Sequence, residues 1–133
     1  MAAIPTILVI DDASFWREVA EQILKKGGYQ TLVADSGAAA LELLRKSTVS
    51  LILLDSDMPQ MSGLQFLEIL RADDRWKQVP VLMLTADMRR ENIIQAHKLG
   101  AAEYLLKAKF SPQTVLSRVE KHMSIAPEYL ITP

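Results

Sequence analysis

Thr6-Ile7-Leu8-Val9-Ile10-Asp11-Asp12 and, forty residues on, Leu51-Ile52-Leu53-Leu54-Asp55 share one pattern: a short unbroken apolar run that ends in carboxylate. Runs this short and this continuously apolar read as strands buried on both faces, as in the middle of a parallel sheet. Neighbouring parallel strands deliver their C-terminal ends to the same edge, so Asp11, Asp12 and Asp55 converge there. Such a cluster repels itself unless positive charge sits among it, and the usual answer is a hard divalent cation with oxygen ligands. The pattern makes the chain a candidate for metal-assisted phosphoryl chemistry.

Working outward, short apolar runs alternate with stretches of helical period. Strands read at Thr6–Ile10, Gln30–Ala34, Leu51–Leu54, Val81–Leu84 and Glu103–Leu106. The first helix carries a stripe of Trp16, Val19, Ala20, Ile23 and Leu24 and stops at Gly27-Gly28. The second runs from about Gly37 to Lys46 with Leu41 and Leu44 inward; the third has Phe66, Leu67 and Leu70; the fourth has Ile93, Ala96 and Leu99 before Gly100. Ser111-Pro112 supplies an N-cap and first helical position for the fifth, which carries Val115, Val119 and Met123. Five strand–helix pairs predict an α/β fold, a doubly wound parallel sheet covered on both faces. The mixed strands, Gln30–Ala34 and Glu103–Leu106, belong at the edges, which gives the order 2-1-3-4-5. Strands 1 and 3 then meet where the winding reverses, the place where open α/β sheets bind ligands.

With 133 residues, this is one domain long enough to bury a core without staples. A net charge of −1 gives no basic surplus for nucleic acid. The absence of cysteine excludes disulfides and thiolate metal sites. The start, Met1-Ala2-Ala3-Ile4-Pro5, lacks the basic region of a signal peptide, and no apolar run approaches the ~20 residues of a membrane span. A cytoplasmic location is the expectation.

Two more groups reach the same sheet edge: Thr85 after strand 4 and Lys107 after strand 5. A hydroxyl and an ammonium there suit the oxygens of a phosphoryl group carried by Asp55, since a carboxylate can attack phosphorus and form an acyl phosphate. Transfer needs mainly positioning and charge neutralisation. Met58-Pro59 and Gly63 shape the loop after Asp55 so that a backbone carbonyl turns back to the metal. Each piece alone has a plainer reading. Asp11-Asp12 suits a helix cap, Asp55 to Gly63 a strand-to-helix turn, Thr85 a strand end, and Lys107 a solvated rim lysine. Their joint occurrence at alternating strand ends favours function.

From about Pro5 to Ser124 the chain resembles the response regulator receiver domains of two-component signalling, chemotaxis regulators among them. The resemblance rests on Asp11-Asp12, on Leu53-Leu54-Asp55-Ser56-Asp57-Met58-Pro59-Gln60-Met61-Ser62-Gly63, on Thr85-Ala86 and on Tyr104-Leu105-Leu106-Lys107. The flavodoxin-like 2-1-3-4-5 order is that of this family, so it is not independent of the resemblance. The resemblance implies that Asp55 accepts phosphate from a sensor histidine kinase or histidine phosphotransfer protein. It implies Mg²⁺ held by Asp12 directly, Asp11 largely through water, Asp55, and the backbone carbonyl of Asp57. Thr85, Ala86 and Lys107 would contact the phosphoryl group, and Tyr104 would turn inward as Thr85 moves. The surface of helix 4, strand 5 and helix 5 would then signal to an output protein or fused output domain, in some cases through a phosphorylation-dependent dimer. No enzymatic activity beyond self-phosphorylation and autodephosphorylation is implied, nor any direct nucleic-acid or membrane binding.

One departure stands out. The family usually follows this lysine with proline, often cis, then an aromatic; here Ala108 and Lys109 precede Phe110. A cis Lys-Ala bond would cost ~2.5–4 kcal/mol, which predicts a trans bond and a differently shaped loop. Phe15 falls outside the first helix's apolar stripe, on the face of Glu18, Gln22 and Lys25. It is either a lone exposed apolar residue or, with the Ala108-Lys109-Phe110 loop forming the opposite rim, an anchor for the phosphodonor protein. The same groups also resemble haloacid-dehalogenase-type phosphatases, but those need a carboxylate pair after the lysine, where only Glu120 and Glu128 follow. A second alternative is a receiver-like binding module that works without phosphorylation. The receiver unit is expected over residues 5–124, with a tail or linker start at 125–133.

Overall fold

The computed structural model describes residues 4–123. Five parallel strands, β1 (Thr6–Ile10), β2 (Gln30–Ala34), β3 (Leu51–Leu54), β4 (Val81–Thr85) and β5 (Glu103–Leu106), form one sheet in the order β2-β1-β3-β4-β5. They alternate with α1 (Ser14–Lys26), α2 (Gly37–Lys46), α3 (Gly63–Ala72), α4 (Arg90–Lys98) and α5 (Pro112–Met123). Strand 4 runs one residue further than its apolar pattern, because Thr85 pairs with Leu106. The proposed tail, residues 125–133, and Ser124 lie outside the described residues.

Period-2 alternation divides the core. Leu8, Ile10, Ile52, Leu54, Val81 and Met83 point to the face covered by Ala40 and Leu44 of α2, by Phe66, Leu67 and Leu70 of α3, and by Ala96 of α4. Ile7, Val9, Leu51, Leu53, Leu82 and Leu84 point to the face covered by Ala20 and Leu24 of α1 and by Val115 and Val119 of α5. Full burial of each large apolar side chain contributes roughly 1.5–3 kcal/mol.

Local chemistry sets the helix ends. α1 stops where Tyr29 N–H bonds Leu24 O and Gly28 N–H bonds Lys25 O, a reversal that needs the φ of +93° at Gly28. Ser36 caps α2 by accepting from Ala39 N–H, and Ser62 with Gln65 forms a reciprocal capping box on α3. The N-terminal end of the sheet is closed by charge. The Arg71 guanidinium donates to Leu99 O (2.9 Å), Val79 O (3.0 Å), Gly100 O (3.1 Å) and Lys77 O (3.2 Å), joining α3 to the loops that enter β4 and β5. At the same end, Glu103 faces His122 (2.8 Å), Arg118 (3.8 Å) and Lys121 (3.8 Å).

Candidate phosphoacceptor and metal site

Register brings the acids together. Ile10 and Leu54 are paired Cα to Cα, and Asp55 N–H bonds Ile10 O at 2.9 Å, so Asp11 and Asp55 leave their strands side by side. Asp11, Asp12 and Asp55 each present a carboxylate oxygen, all within 4.8 Å of one another. Asp11 and Asp55 are buried, whereas Asp12 is exposed. Asp11 does not cap α1 in the manner its position suggests. Ala13 is the N-cap, and the Asp11 carboxylate accepts from Ala13 N–H at 2.9 Å.

Lys107 is no rim lysine. Its side chain is 9% exposed, with Nζ 2.7 Å from Asp11 Oδ2 and 3.5 Å from Asp55 Oδ2, and it lies 5.0 Å from the Trp16 ring centroid. The Lys107–Ala108 bond is trans, and Lys107–Lys109 forms a single 3-10 turn, so the altered loop still delivers the lysine to the acids. One ammonium against three carboxylates leaves the cluster short of positive charge. Burial, and next the charge of Asp11, push the Asp55 carboxyl above its ordinary value, against the pull of Thr85, Lys107 and the Asp57 N–H. Hard oxygen donors at this spacing fit a divalent cation such as Mg²⁺. Gly63 keeps the loop after Asp55 close, since a Cβ there would lie 2.6 Å from the Ser56 Cα.

Beside this cluster lies a second set of groups. Thr85, fully buried, shares a 2.8 Å hydrogen bond with the Ser56 hydroxyl and accepts from Asp87 N–H at 3.1 Å. Asp87, also buried, receives Arg89 Nε and Nη2 at 2.9 Å each and Asn92 Nδ2 at 2.6 Å. Hydrogen bonds from Arg89 hold its carboxyl far below the usual range. Tyr104 is half-buried, its hydroxyl donating to Asp87 O at 2.7 Å; burial and the Asp87 charge raise its pKa. Ala86 and Asp57 are exposed, and Arg89 reaches Asp57 Oδ1 at 3.5 Å. Ser56, Asp87, Arg89 and Asn92 are neighbours of the site to which the sequence alone assigns no role. The available signal was the spacing Asp87-Met88-Arg89, which in extended backbone puts acid and base on one side.

The two candidate docking residues differ. Phe15 is 65% exposed, while Phe110 is half-buried. They end one row: Phe15 meets Trp16 edge-on at 5.5 Å, and Trp16 meets Phe110 edge-on at 5.2 Å. Phe110 is therefore packed on Trp16.

Residues 7–120 match the response regulator receiver domain family. The chain belongs to that family. As a receiver domain it is 37% identical over 116 residues to the chemotaxis protein CheY of Pseudomonas aeruginosa, covering 86% of this chain and 93% of that one. It is 34% identical to CheY1 of Helicobacter pylori over the same share of its length. Among solved structures, this receiver resembles chemotaxis protein CheY4 of Vibrio cholerae, with a TM-score of 0.83, 30% identity, and coverage of 90% of this chain and 98% of that one. A receiver protein from Pseudomonas putida matches with a TM-score of 0.86 and 29% identity over 91% of this chain and 99% of that one. The phosphatase and phosphorylation-independent readings gain no support from these matches. Among the described residues, no helix is long and apolar enough to cross a membrane.

Proposed function

We propose that this receiver domain is a phosphorylation-dependent switch in which Asp55 takes a phosphoryl group from a histidine kinase or histidine phosphotransfer protein. The observation that carries the reading is the three-acid, one-lysine cluster at the C-terminal ends of β1, β3 and β5. An Asp55 carboxylate oxygen attacks phosphorus in line. The bond from phosphorus to the donor's imidazole nitrogen breaks with its electron pair left on that nitrogen, and an acyl phosphate forms. Mg²⁺, held by Asp11, Asp12, Asp55 and the backbone carbonyl of Asp57, would neutralise charge between donor and acceptor. Lys107 exchanges its carboxylate partners for a phosphoryl oxygen, and the Thr85 hydroxyl and Ala86 N–H bind the others. As Thr85 moves, Tyr104 loses its hold on Asp87 O and turns inward. The surface of α4, β5 and α5 then changes for an output protein, a fused output domain or a second copy.

The aromatic row from Phe15 to Phe110, running past Lys107, supports α1 as the docking side for the phosphodonor protein. The proposed receiver unit spans 5–124. The chain acts only on its own phosphate, by self-phosphorylation and autodephosphorylation. Incubation with Mg²⁺ and acetyl phosphate, followed by intact-mass measurement, tests this. Wild type should gain one labile phosphoryl group and Asp55→Asn none; labelling of Asp55→Asn, or labelling that survives a chelator, would overturn the assignment.

A further inference from the structure

Ser56 lies between the phosphoacceptor and the switch residue, and no metal or phosphoryl role accounts for it. Its hydroxyl is 2.8 Å from Thr85 Oγ1, and both residues are buried, at 4% and 0% exposure. Buried hydroxyls must find partners inside the protein. Thr85 Oγ1 accepts from Asp87 N–H and keeps one further lone pair and its single proton. Two acceptors compete for that proton: Ser56 Oγ, and the Asp55 carboxylate beside it. Ser56 Oγ also lies 3.5 Å from Asp87 Oδ2, on a carboxylate anchored by Arg89 and Asn92. Either hydroxyl can be the donor in the 2.8 Å bond, and a Thr85 hydroxyl that moves fully to a phosphoryl oxygen on Asp55 gives that bond up whichever way it runs. Tyr104 closes the same group through its bond to Asp87 O.

We infer that Ser56 is a positioning residue that restrains the Thr85 hydroxyl and so sets how readily the site switches. The inference rests on Asp55 being the phosphoacceptor. A phosphoryl oxygen offers a charge-assisted hydrogen bond, roughly twice as strong as a neutral one, so Thr85 turns to it. The turn still forfeits the Ser56 bond. Removing the Ser56 hydroxyl removes that cost, so the switched state becomes easier to reach.

The test is calorimetric titration of the full chain with beryllium fluoride in saturating Mg²⁺. Ser56→Ala should bind beryllium fluoride about fivefold more tightly than wild type, the worth of one neutral hydrogen bond, with Mg²⁺ affinity unchanged. On a Thr85→Ala background the same substitution should make no difference, because the hydroxyl it frees is gone. Should Ser56→Ala not melt cooperatively, Ser56→Cys, a weaker hydrogen-bonding group of similar size, must fall between wild type and the expected gain. Unchanged or weaker binding in Ser56→Ala, or an equal gain without Thr85, overturns the role of Ser56 alone. A wild-type chain that binds no beryllium fluoride overturns the phosphoacceptor reading and, with it, this inference.

Discussion

At the N-terminal end of the sheet one carboxylate, Glu103, faces three basic groups, His122, Arg118 and Lys121; at the C-terminal end three carboxylates share one lysine. The two ends lie on one sheet and are built from the same kinds of side chain. Burial works against ionised Glu103, but His122, Arg118 and Lys121 outweigh it and leave its pKa below the ordinary value. At Asp55 the balance goes the other way. At the same end of the sheet, Arg71 satisfies four loop carbonyls at once. The satisfied end holds the fold, and the unsatisfied end is where a cation and a phosphoryl group are wanted.

The largest effect should come from breaking the satisfied end. Arg71→Ala strands four carbonyl acceptors and should cost on the order of 3 kcal/mol, lowering the melting temperature by about 10 °C, while the folded fraction still labels at Asp55. Arg71→Lys should not rescue it, since a point charge cannot replace the guanidinium fork. A melting point within about 2 °C of wild type would show that the staple carries little.

A smaller effect separates the two ends by pH, measured as denaturant stability without Mg²⁺. Asp55 has a folded-state pKa above its unfolded one, so the folded state binds more protons in the window above about 4 and loses stability as pH rises through it. Asp55→Asn should therefore gain on wild type as pH rises through that window. Glu103 is depressed in the folded state, so its contribution is present above the ordinary glutamate value and fades as pH falls through the folded one. Glu103→Gln should accordingly trail wild type at neutral pH and converge with it in acid. Equal pH profiles for all three proteins would contradict the contrast. The smallest stability change, within about 0.5 kcal/mol, is expected for Phe15→Ala on the exposed face of α1. It should slow transfer from a phosphodonor protein and leave labelling by acetyl phosphate unchanged; equal loss with both donors would make Phe15 part of the site itself.

The apolar runs of β1, β3 and β4 made the sheet readable, because only a strand buried on both faces tolerates such continuity. Asp11, Asp12, Asp55, Thr85 and Lys107 were readable as one end of the sheet because each follows a strand. The rest depends on meetings that a linear pattern does not encode. The Lys107 ammonium lies over the ring of Trp16, far away in sequence. Arg71 matters because two loops bring carbonyls to it. Ser56 and Asp87 look like turn residues, and only the register of β3 against β4 places their side chains around Thr85. The packing of Phe110 on Trp16 likewise joins residues far apart in sequence.

Melting wild type and Asp55→Asn side by side, with and without Mg²⁺, tests the charge deficit at the C-terminal end most directly. Without Mg²⁺, Asp55→Asn should melt a few degrees above wild type, because one buried like charge is gone; saturating Mg²⁺ should raise wild type and close or reverse the gap. Equal melting points without Mg²⁺, together with no Mg²⁺ effect on wild type, would contradict the account.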